Sequence, residues 1–339
     1  MNGRVLILYS GGTIGMISAN GAYVPGPDFS ARLTRRLEEH QRELPPFDVI
    51  ELDRLIDSAN LTPENWTIMA RILAENWARY DGFVVLHGTD TMAFTASALS
   101  YMLQGCDKPV ILTGSQIPLE QSRTDALENV INALTLAGNP EISEVCLYFR
   151  GNLLRGNRAR KLKTSDLDAF DSPNAPRLGR CGIHLELRHD LLLPPGNPDF
   201  QIPTFNPRSV ATLTLYPGMP AALVEAALAL PDLRGLILHT YGAGNAPDAD
   251  TQLVQKLSQG ARRGVSILNI SQCLQGHVVQ GAYASGAALE RIGVISGADL
   301  TPEAAFAKLH FLLATGHSPE SLRNALQHPL CGDLNQTNA

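Results

Sequence analysis

Cysteine is scarce in this sequence and shows no pattern that could build a site. The five cysteines are odd in number, widely spaced and never form a Cys-x-x-Cys pair. A disulfide framework needs an even set and a structural zinc site needs paired ligands, so neither is indicated. We expect reduced thiols, mostly structural, at Cys106, Cys146, Cys181, Cys273 and Cys331.

Long apolar runs are also missing. A membrane-spanning helix needs about 20 apolar residues, and the best candidate window is interrupted by Pro217, Pro220 and Glu225. A first strand that begins at Arg4 leaves no room for the charged, apolar and cleavage regions of a signal peptide. We therefore expect a cytoplasmic protein with no membrane contact.

Several ligand-binding patterns are absent too. No Gly-x-Gly-x-x-Gly follows the first predicted strand, since position 10 is Ser10, and no Gly-Lys-Ser/Thr occurs; dinucleotide and P-loop sites thus lack their main support. The nine histidines show no His-Glu-x-x-His spacing and no pairing with cysteine, which argues against a metal. A formal net charge of −6 argues against general nucleic-acid binding. We expect no cofactor, no metal and no nucleic-acid partner.

What is present is an alternation of strand and helix patterns over 339 residues, a length that predicts two domains. We expect an N-terminal domain at residues 1–190, a linker at 191–207 and a C-terminal domain at 208–339. Strands alternating with helices imply parallel pairing through right-handed crossovers. The sequence therefore predicts an α/β fold with a larger N-terminal domain, whose mostly parallel sheet is flanked by helices, and a smaller C-terminal parallel α/β domain.

The predicted elements of each domain follow from period and cap signals. The N-terminal strands are Arg4–Ser10, Phe47–Leu52, Phe83–Leu86, Pro109–Thr113, Glu144–Phe149 and Ile183–Leu187, and the helices are Asp28–Leu44, Thr62–Tyr80, Thr91–Leu103 and Asp125–Ala137. The C-terminal strands are Ala211–Leu215, Gly235–His239 and Val265–Ile270, and the helices are Pro220–Leu230, Asp248–Arg263, Thr301–Ala314 and Pro319–Gln327.

Two predicted strands end in glycine followed by threonine. The first strand breaks into Gly11–Gly12 before Thr13, and the strand Phe83–Leu86 leads to His-Gly before Thr89. Glycine permits positive φ and close approach of a ligand, and parallel sheets bind ligands at the carboxyl ends of their strands. Each stretch alone is compatible with an ordinary tight turn. Together they predict one site that contains both threonines.

Other polar groups follow the same strand ends. Asn20–Gly21 signals a hairpin, and we interpret residues 17–27 as a flap that carries Tyr23, although a surface aromatic on its own loop is the alternative. Asp57 and Ser58 follow the second strand and can grip an amino acid's ammonium and carboxylate, although a solvated turn is commoner. Asp90 is expected to cap the next helix, which would direct backbone N–H groups at an anion or a developing oxyanion.

The most basic stretch of the chain is Arg155–Lys163, and a solvated or phosphate-binding patch is its commonest meaning. A lysine from this stretch, if placed beside Thr89 and Asp90, can instead accept a proton from a nucleophile. Threonine is a weak nucleophile until a base removes its proton, and lysine or tyrosine can do so. Acyl transfer in the form of amide hydrolysis fits this set of residues.

These motifs resemble the bacterial-type L-asparaginases, specifically their intracellular type I branch. The resemblance covers essentially the whole length. It is carried by Gly11–Gly15, Asp57–Ser58, His87–Thr91, Thr113–Ser115, the context of Lys161, Tyr241–Pro247 and Gly297–Thr301.

The resemblance implies hydrolysis of L-asparagine to L-aspartate and ammonia without a cofactor. It implies that Thr13 is the nucleophile, assisted by Tyr23, and that Thr89, Asp90 and Lys161 relay protons or activate water. Asp57 and Ser58 would hold the α-ammonium and α-carboxylate, and the backbone N–H groups of Thr89 and Ser115 would form the oxyanion hole. Family members are homodimers or homotetramers, in which Asn245 would reach a partner's site.

Some type I members bind a second, activating asparagine, and the matching positions here are Arg160, His239 and Cys273. Arg160 stands where regulated members have a small hydroxyl residue, and His239 replaces an arginine, which loses charge and fork geometry. Arg160 can itself pair with a carboxylate, or its bulk can fill the pocket. If it fills the pocket, the expected saturation curve for asparagine is hyperbolic.

Two other functions are compatible with the sequence. One is the asparaginase-like subunit of a tRNA-dependent amidotransferase, which usually carries an added N-terminal barrel. The other is a non-catalytic amino-acid-binding protein, since two α/β domains also describe that class and fold does not fix function.

Overall fold

The structure, a computed structural model, describes residues 3–19, 21–281 and 284–335. The chain divides into two compact units, Met1–Ile202 and Pro203–Ala339. In the part of the chain that is described, no helix has the length and apolar character needed to cross a membrane.

The first unit is built on an eight-stranded sheet. Its strands are β1 (Val5–Gly11), β4 (Phe47–Ile56), β5 (Gly82–Leu86), β6 (Val110–Thr113), β7 (Val145–Phe149), β8 (Asn152–Arg155), β11 (Gly179–Cys181) and β12 (Leu185–Leu187), and their order is β12-β11-β8-β7-β6-β5-β1-β4. The five strands from β7 to β4 are parallel, and β8, β11 and β12 extend the sheet in antiparallel fashion. The predicted mostly parallel sheet is confirmed.

Helices and two small hairpins complete this unit. The helices are α1 (Phe29–Leu37), α2 (Pro63–Glu75), α3 (Met92–Met102) and α4 (Ala126–Ala137), and the hairpin strands are β2 (Met16–Ala19) with β3 (Ala22–Pro25) and β9 (Arg160–Lys161) with β10 (Phe170–Asp171). Every residue of β1 and β5 is buried. Because β1 lies beside β5 in the sheet, with Tyr9 opposite Leu86, the segments that follow both strands leave from one edge.

The predicted helix Asp28–Leu44 is too long. Asp28 has φ 50° and its side chain makes no capping hydrogen bond, and α1 ends at Leu37 before a single 3-10 turn at Glu38–His40. Residues 38–43 are mostly exposed and polar, so no apolar face holds them against the core in helical form.

The second unit is a four-stranded parallel sheet with helices. Its strands are β13 (Val210–Thr214), β14 (Gly235–Thr240), β15 (Ser266–Ser271) and β16 (Ile295–Ser296) in that order, and its helices are α5 (Ala221–Leu228), α6 (Thr251–Arg262), α7 (Ala284–Arg291), α8 (Pro302–Ala314) and α9 (Pro319–Gln327). The prediction omitted α7 and β16, which are short. The predicted parallel α/β character of this unit is confirmed.

Candidate active site

Three segments of the first unit meet where β1 and β5 end. Gly11 and Gly12 have φ of 123° and 89°, and a Cβ at Gly12 would lie 2.4 Å from Gly88 Cα. A Cβ at Gly88 would in turn lie 2.5 Å from the hydroxyl of Ser58. Glycine is therefore required at both positions, because backbone approaches backbone and side chain without room for another carbon. The three segments that carry Thr13, Ser58 and Thr89 are thus neighbours.

Thr13 opens a 3-10 turn directly after this crossing. The turn covers Thr13–Gly15 and is closed by Gly15 N–H donating to the Gly12 carbonyl at 3.2 Å. Thr13 is partly exposed, whereas Ile14 and Gly15 are buried. The strand end thus presents the threonine from a turn whose other residues are anchored in the core.

The second threonine lies in a compact polar cluster. Lys161 Nζ donates to Thr89 Oγ1 at 2.8 Å and to Asp90 Oδ1 at 2.8 Å. The lysine side chain is 18% exposed and the Asp90 side chain 63%. One cation thus binds a hydroxyl and a carboxylate that are adjacent in sequence. The lysine comes from β9 of the small β9–β10 hairpin, far along the chain from Thr89.

Asp90 does not cap α3, contrary to the expectation from the sequence. Thr91 occupies the N-cap position without a capping side-chain bond, and its hydroxyl donates to the Ser58 carbonyl at 2.8 Å. The carboxylate of Asp90 accepts from Lys161 instead. A charge-assisted bond to a lysine competes successfully with a local cap.

Gln116 was missed by the sequence reasoning. Thr89 Oγ1 donates to Gln116 Oε1 at 3.1 Å, and Gln116 Nε2 donates to the carbonyls of Thr164 and Asp166 at 3.3 and 3.1 Å. These two carbonyls fix the direction of the amide, so its oxygen must face Thr89. The sequence feature that could have identified Gln116 is its position in the polar segment that follows β6.

The loop that carries Ser115 and Gln116 is held by a buried carboxylate. Asp125 accepts from the backbone N–H of Gln116 at 3.0 Å and of Ile117 at 3.0 Å. Ser115 is buried, and its hydroxyl donates to the Ile117 carbonyl at 2.7 Å. The loop therefore has little freedom at the edge of the sheet.

His87 was also missed. Full burial lowers the pKa of His87 to about 4, although its bond to Gly88 opposes the shift. The neutral ring donates from Nδ1 to the Gly88 carbonyl at 2.7 Å, so Nε2 accepts from the hydroxyl of Thr95 at 2.9 Å. His87 thereby fixes the peptide that precedes Thr89.

Tyr23 lies on the β2–β3 hairpin, in which Ser18 pairs with Tyr23. Asn20, part of the predicted hairpin signal, falls outside the described residues, and Gly21 has φ 81°. Tyr23 is 52% exposed, and its hydroxyl accepts from Gln121 Nε2 at 2.6 Å. Tyr23 is thus tied to the loop that follows β6.

Asp57 and Ser58 begin the 3-10 turn that follows β4. Asp57 Oδ1 accepts from the backbone N–H of Ala59 at 3.1 Å, and Ser58 is buried against Gly88. The bond from Ala59 to Oδ1 fixes the orientation of the Asp57 side chain, and this bond does not involve the second carboxylate oxygen, Oδ2.

The cations of the stretch Arg155–Lys163 are largely engaged within the unit. Arg155 pairs with Glu144 at 2.6 Å, Arg158 is buried and donates to the Asn174 carbonyl at 2.8 Å, and Lys163 pairs with Asp168 at 2.5 Å. Arg160 is partly buried beside Lys161 on β9. These contacts argue against a solvated basic patch.

Three of the predicted residues belong to the second unit. Asn245 closes a turn after β14, with reciprocal backbone bonds to Tyr241 at 3.0 and 2.8 Å. His239 is the penultimate residue of β14, and Cys273 is exposed just after β15. Among the described residues of the chain, no group of three His, Cys, Asp or Glu side chains is placed to hold a metal ion.

Comparison with known proteins identifies the family of the chain. Residues 4–193 match the family model described as Asparaginase, N-terminal, and residues 209–326 match the Glutaminase/Asparaginase C-terminal domain. The chain is 43% identical to L-asparaginase 1 of Escherichia coli K12 over 97% of both chains. It is 39% identical to the 60 kDa lysophospholipase of Mus musculus over 98% of this chain and 62% of that one.

A solved structure shares the fold over its full length. The chain superposes on the crystal structure of L-asparaginase I from Vibrio cholerae with a TM-score of 0.90 and 42% identity, covering 99% of this chain and 100% of the other. The chain therefore belongs to the L-asparaginase family, in its type I branch.

Proposed function

We propose that this protein hydrolyses the side-chain amide of L-asparagine to give L-aspartate and ammonia. The observation that carries the proposal is the cluster of Lys161, Thr89 and Asp90 at the sheet edge from which Thr13 is also presented. The name of the Escherichia coli relative supports asparagine as substrate. The reaction needs no cofactor, because side chains and water can perform each step.

Thr13 is the proposed nucleophile. Its Oγ1 attacks the side-chain amide carbon of asparagine, and its proton leaves through Tyr23. The negative charge that develops on the carbonyl oxygen is stabilised by the backbone N–H groups of Thr89 and Ser115. The amide nitrogen takes up this proton from Tyr23 and leaves as ammonia when the C–N bond breaks, and the acyl group remains as an ester on Thr13. The buried, hydrogen-bonded loop around Ser115 supports this assignment, since an oxyanion site works when its donors are already in place.

Thr89 and Lys161 are proposed to serve proton transfer. Lys161 donates to Thr89 Oγ1 and Thr89 donates to Gln116, so the hydroxyl has one defined proton position. In the proposed second step the Thr89 hydroxyl turns from Gln116 to Lys161, so that a water attacking the Thr13 ester passes its proton to Thr89 as the Thr89 proton moves to the amine nitrogen of Lys161. A proton is then delivered to Thr13 Oγ1 as the ester C–O bond breaks, which releases aspartate and restores the threonine. Asp90 keeps the lysine in place and offers its exposed carboxylate to the substrate's ammonium.

Substrate orientation is assigned to Asp57 and Ser58. The buried position of Ser58 against Gly88 supports a contact with the α-carboxylate, and the free oxygen of Asp57 supports one with the α-ammonium. Pairing both ends of the amino acid fixes the amide next to Thr13 and reduces the entropy that the reaction must lose.

Ammonia release by the purified chain with free asparagine tests the whole proposal. Stoichiometric aspartate and ammonia are expected, with no added nucleotide, tRNA or metal. Tight asparagine binding without turnover would support a binding protein instead. Turnover only in the presence of a partner subunit and charged tRNA would support an amidotransferase subunit.

We propose further that the protein is a cytoplasmic homodimer or homotetramer, in which Asn245 contributes to a partner's site. The defined turn that presents Asn245 supports this role. Light scattering coupled to size-exclusion chromatography measures the assembly directly, and a monomer at micromolar concentration that is fully active would exclude it.

A second asparagine site at Arg160, His239 and Cys273 is proposed to be inactive. The imidazole of His239 lacks the planar fork of an arginine, and the arginine at position 160 adds bulk beside Lys161. The expected asparagine saturation curve near pH 7 is hyperbolic. A Hill coefficient clearly above one would contradict this.

A further inference from the structure

The two ends of the β2–β3 hairpin meet at a single arginine. Gly15 and Gly26 flank the hairpin, and Gly26 N–H donates to the Gly15 carbonyl at 3.1 Å. Arg32, on α1, donates from Nη2 to the same Gly15 carbonyl at 2.8 Å and from Nε to the Pro27 carbonyl at 3.0 Å. One guanidinium therefore holds the chain where it enters the hairpin and where it leaves it.

The position of this guanidinium is itself fixed by packing. Arg32 is 15% exposed and lies 5.7 Å from the centroid of the Phe29 ring, which stacks on Tyr9 at 3.8 Å. A Cβ at Gly26 would lie 2.7 Å from Arg32 Nη2, so the glycine leaves the space that the arginine occupies. The planar fork is thus preorganised for two carbonyls, a geometry that lysine cannot reproduce.

Arg32 also contacts the loop that holds Tyr23. Its Nη1 lies 3.7 Å from Glu120 Oε1, and the next residue, Gln121, donates to the Tyr23 hydroxyl at 2.6 Å. In the described residues, Nη1 is buried and has no hydrogen-bond acceptor. The remaining guanidinium nitrogen, Nη1, is therefore attracted to the loop through the charge of Glu120. Arg32 joins the base of the hairpin to the segment that binds its tyrosine.

We propose that Arg32 is a positioning residue, which sets where the hairpin places Tyr23 relative to Thr13. The inference rests on the proposed asparagine hydrolysis, in which Tyr23 accepts the threonine's proton. In that reaction Arg32 contacts neither the substrate nor the reacting atoms and acts through Tyr23. Since Thr13 begins the turn that ends at Gly15, the contacts of Arg32 with the Gly15 and Pro27 carbonyls, here called the clamp, fix the position of Thr13 as well as that of the hairpin that carries Tyr23.

Loss of the clamp affects turnover more than binding. A displacement of about 1 Å in a reacting group can cost on the order of 100-fold in rate. The hydrogen bonds and the ion pair of Arg32 do not involve Asp57, Ser58 or Asp90, so these residues are expected to bind the substrate as before. Arg32→Met is therefore expected to lower kcat by ~10- to 100-fold while KM changes by less than about threefold. Arg32→Lys, which keeps the charge, should rescue little of the loss.

A double-variant cycle with Tyr23→Phe separates positioning from general damage. If Arg32 acts through Tyr23, adding Arg32→Met to Tyr23→Phe lowers kcat by less than about threefold, because groups that act as a unit are not additive. Multiplicative losses, or an unchanged kcat in Arg32→Met, would overturn the proposal. The matched control is Arg35→Met, an exposed arginine on the same helix, which should behave as the unmodified enzyme.

Hydrogen–deuterium exchange tests the clamp without substrate. In Arg32→Met, amides of residues 16–19 and 21–24 should exchange faster, while those of β1 and β5 stay protected. Unchanged exchange in the hairpin, or a uniform increase that includes the core strands, would contradict positioning. If the unmodified protein does not hydrolyse asparagine, the proposed function fails, and this measurement still decides whether Arg32 holds the hairpin.

Discussion

The hydroxyl of Thr89 accepts one hydrogen bond, from Lys161, and donates one, to Gln116. Thr13, in contrast, opens a turn at a neighbouring strand end and is partly exposed. At the scale of single residues, this difference agrees with two threonines of different roles. In the proposed mechanism, Thr89 is the proton relay and Thr13 is the nucleophile.

Removing either hydroxyl should nearly abolish hydrolysis. Thr13→Ala and Thr89→Val are each expected to lower kcat by roughly a thousandfold or more, and the double variant should be little worse, because catalytic groups acting together are not additive. Steady-state ammonia release from folded variants measures this. A Thr13→Ala enzyme that retained a tenth of its activity would exclude Thr13 as the nucleophile.

Lys161 should differ sharply from its basic neighbours. Lys161→Met removes both bonds to Thr89 and Asp90 and is expected to abolish turnover while asparagine still binds by calorimetry. Lys163→Ala, whose lysine pairs with exposed Asp168, and Arg160→Ala should be mild. Equal damage in all three variants would indicate that the basic stretch as a whole, and not Lys161, is required.

At the scale of elements, the last helices of the second unit are joined to the C-terminal segment by a buried ion pair. Lys308 on α8 and Asp333 are both fully buried and lie 2.7 Å apart, and Lys308 also donates to the His328 carbonyl at 2.8 Å. Asp333 accepts from the backbone N–H of Leu330 at 2.8 Å. The pair therefore holds the segment that follows α9 against α8, the helix that precedes α9.

Breaking this pair should be costly. Lys308→Met leaves a buried carboxylate without its cation and is expected to lower the free energy of unfolding by about 3–5 kcal/mol. Adding Asp333→Asn should recover much of that loss, because the charge is gone while the acceptor oxygen remains. Urea denaturation measures both. The control is Lys256→Met at the more exposed Lys256–Glu225 pair, where a loss below about 1 kcal/mol is expected.

At the scale of the whole molecule, stability depends on buried neutral histidines. Burial lowers the pKa of His87 and of His310 to about 4. Because the pKa of such a histidine is lower in the folded state than in the unfolded state, the unfolded state binds a proton first as the pH falls. The free energy of unfolding is therefore unaffected above the unfolded pKa of about 6.5 and decreases as the pH falls towards 4. For fully buried His87, the shift corresponds to a loss on the order of 3 kcal/mol.

The expected result is a free energy of unfolding that declines between pH 6.5 and 4. Chemical denaturation at several pH values measures the decline, and His87→Gln should make it shallower because one titrating group is removed. His189→Gln, at an exposed histidine, is the control and should leave the slope unchanged. A slope that is the same in His87→Gln would show that His87 does not titrate with unfolding.

The sequence alone determined the alternation of elements, because apolar period and cap residues act locally. Helices α8 and α9 begin at the prolines that follow Thr301 and Ser318, and the hydroxyl of each residue accepts a hydrogen bond from a backbone N–H in the first turn. Gly11–Gly12 likewise determined that β1 stops just before Thr13. The family motifs also lie in such local stretches, which is why the two threonines could be identified from them, as the α/β class could be from the alternation of strands and helices.

The tertiary structure decided which side chains meet. Lys161 lies 72 positions from Thr89 in the chain and on a separate two-stranded sheet, β9–β10, and only the tertiary fold places their side chains 2.8 Å apart. That contact took Asp90 away from the helix cap, and it left Gln116 facing Thr89, which no local pattern encodes. From the sequence alone, Arg32 is one polar residue of an amphipathic helix. Its function as a clamp exists only because the fold brings the carbonyls of Gly15 and Pro27 to the same side of α1.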